Sequence, residues 1–217
     1  MHPERDAAQF FDGFAAAFDT LYTGKRSRLM QWLDRRFRSD MFARFALSFA
    51  ACGDLKGKTV LDIGCGSGPY VLEALKRGAS WVTAVDPAPS MLAILRDRLA
   101  ERGFAGQCRI IEGAFPGVDV QAHDHLIIMG VMDYVADART FMAALPPLVK
   151  ELAVVSFPSK HWLRTPLRQY RYRLRRCPVY FYDAGLIRDL CSQAGFRDIQ
   201  IRKIPGAGMD YHVCLSM

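Results

Sequence analysis

The period of the hydrophobic positions changes near residue 54. Before it, apolar side chains recur at intervals of three and four. Phe10, Phe11, Phe14 and Phe18 form one stripe and Phe42, Phe45 and Phe49 a second, the spacing of a single helix face. Residues 7–52 therefore read as helical, with Asp40 as N-cap of a helix over 41–51 and Gly53 as its stop. After residue 54, short apolar runs of strand length alternate with longer helical stretches. Strands are expected at 59–63, 81–85, 108–111, 125–129, 152–157, 199–204 and 211–216. Helices are expected from the glycine-rich turn after 63 to about Arg77, at 90–102, at 138–150 despite Pro146 and Pro147, and at 183–194 before Gly195. Alternation of this kind predicts an α/β fold, a doubly wound, mostly parallel sheet covered on both faces. Seven strands are expected, the last pair antiparallel.

Length and composition add bounds. At about 150 residues per domain, 217 residues make one domain. It divides into an N-terminal helical cap at 1–53 and a main domain at 54–217, with a basic helical insertion at about 158–178. A chain that is 51% hydrophobic and 24% charged is neither disordered nor fibrous. Its six cysteines are scattered, with no C-x-x-C pair and no metal-ligand spacing, a pattern of a reduced compartment rather than a disulfide framework. The charged start, Met1 to Asp6, and the lack of a long uncharged apolar stretch lead to the expectation of a cytoplasmic protein. The net charge is +7, and it is local. Lys160, Arg164, Arg168, Arg171, Arg173, Arg175 and Arg176 supply seven cations, with no Asp or Glu between Glu151 and Asp183. Thr165 as N-cap, Pro166 at the first position and Pro178 as stop predict a short helix there, apolar along Leu167, Tyr170 and Leu174 and cationic beside that stripe. Such a segment either packs as a solvated insertion or receives an anionic acceptor or an anionic lipid surface. Steep salt-dependent nucleic-acid binding is the remaining reading of the basic charge.

The most informative stretch is Val60-Leu-Asp-Ile-Gly-Cys-Gly-Ser-Gly-Pro69. Gly64, Gly66 and Gly68 leave no Cβ to obstruct a ligand lying against the backbone. Asp62, at the end of the first strand, can orient the loop or receive an ammonium group. Eighteen residues beyond Gly68, the second strand ends in Asp86, where a carboxylate can accept both hydrogen bonds of a ribose diol. A dinucleotide site needs G-x-G-x-x-G, whereas here the spacing is G-x-G-x-G and Pro69 has no N–H for a pyrophosphate. A nucleoside carrying an amino-acid tail fits better. An ordinary turn with a surface acid is the plain alternative.

On these residues the sequence resembles the class I S-adenosylmethionine-dependent methyltransferases. The run 60–68 is similar to their first motif, Ala84-Val-Asp-Pro87 to their second, and Ser90-Met-Leu92 opens the next helix as in many members. Tyr180-Phe-Tyr182 through Ala194-Gly-Phe196 also resembles the family's late helix. In size and layout the sequence resembles the small magnesium-protoporphyrin and ubiquinone-pathway O-methyltransferases. The resemblance implies a Rossmann-like fold and S-adenosyl-L-methionine as cofactor. Asp62 and the turn of Gly64, Cys65, Gly66 and Gly68 would hold the methionine moiety, and Asp86, followed by Pro87, the ribose hydroxyls. After the third strand the family usually carries an Asp for the adenine amino group. This chain has Ala114 there, which leaves the backbone N–H and ring of Phe115 to meet the base. Gly130 opens the turn after the fourth strand, and Tyr134 stands where a histidine is often found. Tyr22 closes an N-terminal segment that in related enzymes folds over the cofactor and can reach the methionine carboxylate.

Methyl transfer from a sulfonium needs alignment and an acceptor that is deprotonated or hydrogen-bonded, so no single catalytic constellation is required. Candidate bases are Asp133, Tyr134 and His161. Asp133 can equally cap the following helix, and His161 can be a plain loop histidine. His212, within a terminal strand, is expected to pack rather than react. The turn Gly130-Val-Met-Asp-Tyr134 lacks the Asn/Asp-Pro-Pro-aromatic run common in enzymes that methylate base amino groups, which makes nucleic acid an unlikely partner. The expected function is O-methylation of a small or lipid-like acceptor, with a methyltransferase-fold binding protein without turnover as the alternative.

Overall fold

The computed structural model describes residues 39–159, 179–204 and 210–217. The expectations for Tyr22, His161, the first phenylalanine stripe and the basic segment 160–178 fall outside these residues. Among the described residues the chain runs α1 (Ser39–Cys52), β1 (Thr59–Ile63), α2 (Pro69–Lys76), β2 (Trp81–Asp86), α3 (Pro89–Glu101), β3 (Cys108–Glu112), β4 (His123–Ile128), α4 (Ala138–Ala143), β5 (Val149–Phe157), α5 (Ala184–Ala194), β6 (Asp198–Lys203) and β7 (Tyr211–Ser216). The seven strands lie in the order β3-β2-β1-β4-β5-β7-β6. The five-strand run from β3 to β5 is parallel, and β7 is inserted antiparallel between β5 and β6. The fold is the expected Rossmann-like α/β sheet.

Period-two alternation splits the apolar residues of the central strands between two cores. Leu61, Ile63, Leu126, Ile128 and Val155 face one way and pack with Phe141 and Met142 of α4 and Ile187 and Leu190 of α5. Val60, Val82, Ala84, Ile127 and Val154 face the other way and meet Phe49 of α1, Val71 and Leu75 of α2, and Leu92, Leu95 and Leu99 of α3. A parallel strand that is buried on both faces reads as a continuous apolar run, which is why β1, β2 and β4 stand out in the sequence.

Three local expectations are corrected. Helix α1 already includes Asp40, so Asp40 does not cap it, and Phe42 of its stripe is 62% exposed while Phe45 and Phe49 pack on Tyr70. The helix expected over 138–150 stops at Ala143. Pro146–Leu148 forms a separate tight turn and β5 begins at Val149, because two consecutive prolines remove the N–H groups a helix would need. Its N-cap is Asp137, whose Oδ1 accepts from the Thr140 N–H at 3.0 Å, and not Asp133. β1 and β7 span the expected residues, the other strands differ at one or both ends by one to three residues, and α5 ends as expected at Gly195 but begins at Ala184, with Asp183 outside it as its N-cap.

At the N-terminal edge of the sheet, polar groups tie the strands together. Asp124 accepts from the Thr59 N–H and hydroxyl at 2.8 and 2.9 Å, Lys58 pairs with Glu151, and His123 Nε2 lies 2.9 Å from Thr83 Oγ1. On the α1 side, His212 of β7 is 2% exposed and its Nε2 lies 3.4 Å from Ser48 Oγ. Burial, with Arg202 and Arg44 nearby, pushes its imidazole down to about 4. Above the unfolded value of 6.5 this shift has no effect on stability. As pH falls from there towards 4, the unfolded chain takes up a proton that the folded one refuses, so stability is lost. Urea midpoints are therefore expected to fall over this window, His212 contributing at most about 1.4 kcal/mol per pH unit. His212→Asn should flatten the profile measurably. A variant profile parallel to wild type would show that another group, such as His123 or His125, controls it.

Candidate functional site

In an open parallel sheet the ligand crevice lies beyond the carboxyl ends of the strands, where strand order reverses. Here the reversal falls between β1 and β4. The ladder fixes what meets there. Asp62 sits level with Ala84 of β2 and Ile127 of β4, and β2 ends one position past the β1 register, at Asp86. Gly64 and Cys65 extend the pairing by donating to Val85 O at 2.7 and 3.1 Å, after which the chain turns away into α2.

Two of the glycines in this turn serve different ends. Gly64 has φ +74°, and a Cβ there would lie 2.3 Å from Val131 Cγ2 on the β4 turn. Gly66 has φ +52° and a Cβ there would meet nothing within 4 Å. The first glycine lets two turns pack together, and the second leaves an open cradle against the backbone.

Both acids of the crevice are buried. Asp86 is 8% exposed, and its oxygens accept from the Gly66 N–H at 2.8 Å and the Ala88 N–H at 2.9 Å. Burial raises its carboxyl, and those two donors partly offset the rise. Asp62 is 1% exposed and its Oδ2 has no hydrogen-bond partner. Burial and then the charge of Asp86 push it well above the usual carboxylate range. An unsatisfied carboxylate oxygen beside an open backbone cradle is the arrangement expected where a ligand ammonium completes the site. The residues at the crevice thus fit a group that carries an ammonium at one end and a diol at the other.

The other expected residues are placed as follows. Cys65 is buried within the turn, its thiol pushed up by burial and by the two acids. Pro87 follows Asp86 directly, leading into α3. Ala114 is half-buried after β3. The Phe115 ring is 6% exposed and lies edge-on to Phe141 at 5.0 Å, so the ring belongs to the core and its backbone N–H is the part left for a base. Gly130 donates its N–H to Ser156 Oγ at 2.8 Å. Asp133 is 5% exposed, and its carbonyl accepts from the Tyr180 N–H at 2.9 Å. Tyr134 is half-buried, closing the turn with an N–H to Val131 O at 2.9 Å.

Three features escaped the sequence reading. Arg44 of α1 brings its guanidinium 3.5 Å from Ser156 Oγ and within 3.7 Å of where a Gly130 Cβ would stand, placing a cation at the β4–β5 end of the crevice. Ser156 joins the β4 turn to that cation. Tyr182, 4% exposed, has its hydroxyl pushed up by burial and then by the charge of Asp133. A lone arginine on an otherwise apolar helix face was the available signal for Arg44. Nothing local marked Ser156.

The methyltransferase-domain family matches residues 60–151. A ubiquinone biosynthesis O-methyltransferase of Neisseria meningitidis is 31% identical over 175 residues, covering 74% of this chain and 70% of that protein. A ribosomal protein L11 methyltransferase of Deinococcus radiodurans is 30% identical over 159 residues. That match takes in 73% of this chain but 52% of that protein, so the chain spans about half its length. Among solved structures, magnesium protoporphyrin IX methyltransferase from Synechocystis PCC 6803 with bound S-adenosylmethionine superposes at a TM-score of 0.76 with 17% identity, covering 100% of this chain and 98% of that one; this likeness is one of fold. Identity of 31% over a match that covers 70% of a relative, with the methyltransferase-domain match over residues 60–151, shows common descent: the chain belongs to the class I S-adenosylmethionine-dependent methyltransferases.

Proposed function

We propose that the protein transfers a methyl group from S-adenosylmethionine to a hydroxyl oxygen of a small or lipid-like acceptor. The observation that carries the cofactor half is the unsatisfied, buried Oδ2 of Asp62 beside the open Gly66 cradle, with Asp86 on the adjoining strand. Asp62 takes the ammonium of the methionine moiety. Asp86, whose oxygens each keep a second lone pair after the Gly66 and Ala88 bonds, takes the ribose hydroxyls. Arg44 supplies positive charge at the opposite end of the crevice, where a carboxylate of that moiety or of the acceptor is favoured. The bound cofactor supplies the electrophilic methyl group, and the protein supplies alignment and a place for the acceptor proton.

The O-methyl reading draws support from the name of the Neisseria relative and from the turn after β4, which has Gly130-Val-Met-Asp-Tyr134 in place of an amide-proline run. Asp133 is the described carboxylate at that turn and is the group offered to hold the acceptor proton. Incubation with methyl-labelled cofactor and a panel of phenols, quinols and hydroxylated lipids tests this. Label extracted with an organic phase as a methyl ether is expected. Label recovered on protein or RNA instead would overturn the acceptor class.

Two variants test the cofactor assignment. Asp86→Ala removes hydrogen bonds to a charged acceptor, each worth about 1.5–3 kcal/mol, so calorimetry should show S-adenosylhomocysteine bound at least tenfold more weakly. Asp62→Asn should act in opposite directions on stability and binding. It removes a buried carboxyl that lacks a partner, raising the melting temperature of the ligand-free protein, and it removes the ammonium partner, weakening the same ligand several-fold. Equal affinity with either variant would remove that residue from the site.

A further inference from the structure

The glycine turn is braced by α3. Gly66 and Gly68, on either side of Ser67, have φ of +52° and +80°, so the backbone around Ser67 relies on the freedom of glycine and has little preference of its own for this shape. Among the described residues nothing lies within 4 Å of where a Gly66 Cβ would stand. That open side therefore offers no packing to hold the turn.

From its other side α3 approaches at two positions, Leu95 and Arg98, three residues apart on one helix face. Leu95 is fully buried, and a Gly68 Cβ would lie 2.2 Å from its Cδ1, so the helix packs directly on backbone there. One turn further along, Arg98 Nη1 donates to Ser67 O at 3.0 Å and to Ser67 Oγ at 3.1 Å. Ser67 is 2% exposed, and buried acceptors need donors. The same helix is anchored at its start. Ala88, its N-cap, donates its N–H to Asp86 Oδ1 at 2.9 Å, and Asp86 Oδ2 accepts from the Gly66 N–H at 2.8 Å. The contacts close a ring, from Gly66 to Asp86, along α3 for about 15 Å, and from Arg98 back to Ser67. One helix thus sets the shape of the cradle and the place of Asp86 together.

We propose that Arg98 is a positioning residue for cofactor capture, acting through Ser67 to hold the Gly66 turn in its binding shape, a role that rests on the reading that this turn holds S-adenosylmethionine. A glycine turn without the brace samples several shapes. A ligand then meets only the competent fraction, and its apparent affinity falls by that fraction. Arg98 removes this loss in advance, from the α3 side of the turn.

The test uses the full chain and S-adenosylhomocysteine, titrated by calorimetry well below the melting temperature so that only folded protein is read. Arg98→Met keeps most of the side-chain length and removes its donors, and it should bind the ligand about tenfold more weakly. Ser67→Ala, which leaves the carbonyl contact, should cost about threefold. Because Arg98 makes a further interaction besides Ser67, a double-mutant cycle isolates the pair. The double variant should lose about tenfold, short of the roughly thirtyfold product of independent losses. Hydrogen exchange adds a readout that a general loss of stability does not mimic. In Arg98→Met the Gly66 and Gly68 amides, bonded to Asp86 and to Cys65 O, should exchange faster while those of β4 and β5 keep wild-type rates. Wild-type affinity in Arg98→Met, losses that multiply in the double variant, or exchange that rises throughout the sheet overturns the positioning role. If Arg98→Met does not fold, Ser67→Ala decides alone, and undiminished affinity there overturns the role. Failure of S-adenosylhomocysteine to bind wild type overturns the cofactor reading and this role with it, an outcome distinct from a loss confined to the variants.

Discussion

Two carboxylates stand on neighbouring parallel strands with almost no access to water, and the rest of the molecule is arranged around that fact. Asp86 is reconciled to burial by two backbone donors, Gly66 and Ala88. Asp62 is not: its Oδ2 is buried without a hydrogen-bond partner. Burying a carboxylate without a partner costs on the order of several kcal/mol. The site withholds that stabilisation from the ligand-free state, and a cationic ligand recovers it.

Such a cost is sustained only if β1 cannot move. It is central, flanked by β2 and β4, with Leu61 and Ile63 in one core and Val60 in the other. The polar edge beneath it, where Asp124 holds both the N–H and the hydroxyl of Thr59, fixes the other end of the strand. The amino end is tied together by these side-chain bonds, although buried His125 keeps both ring nitrogens without a hydrogen-bond partner, and at the carboxyl end Asp62 is left unsatisfied.

The second half of the crevice has a different origin. Arg44 arrives from α1, Gly130 from the β4 turn and Ser156 from β5, and the three meet through one hydroxyl. β7 lies against β5 there, with His212 held neutral under α1 and bonded towards Ser48. This polar crossing keeps a cation at the β4–β5 end, complementary to the acids at the β1–β2 end. Its charge separation suits a ligand with an ammonium and a carboxylate.

The strand–turn–helix unit with Asp62, the three glycines and Asp86 was legible in the sequence because every part of it depends on short-range rules. A buried parallel strand is a continuous apolar run, a backbone approach needs residues without Cβ, and one βαβ repeat fixes the distance between the two strand ends. A helix end was legible where its stop signal stood alone, as with Gly195. Helix ends were misread where Pro146 and Pro147 competed with an apolar helical pattern and where Asp133 and Asp137 competed for one cap. The Phe115 ring could have faced either the base or the core, and packing against Phe141 decided it. Arg44 and Ser156 lie 112 positions apart, and Arg98 and Ser67 31 apart. No periodicity connects such pairs. Their contact follows from the order of strands in the sheet and from which face each helix covers, and those are properties of the packed chain alone.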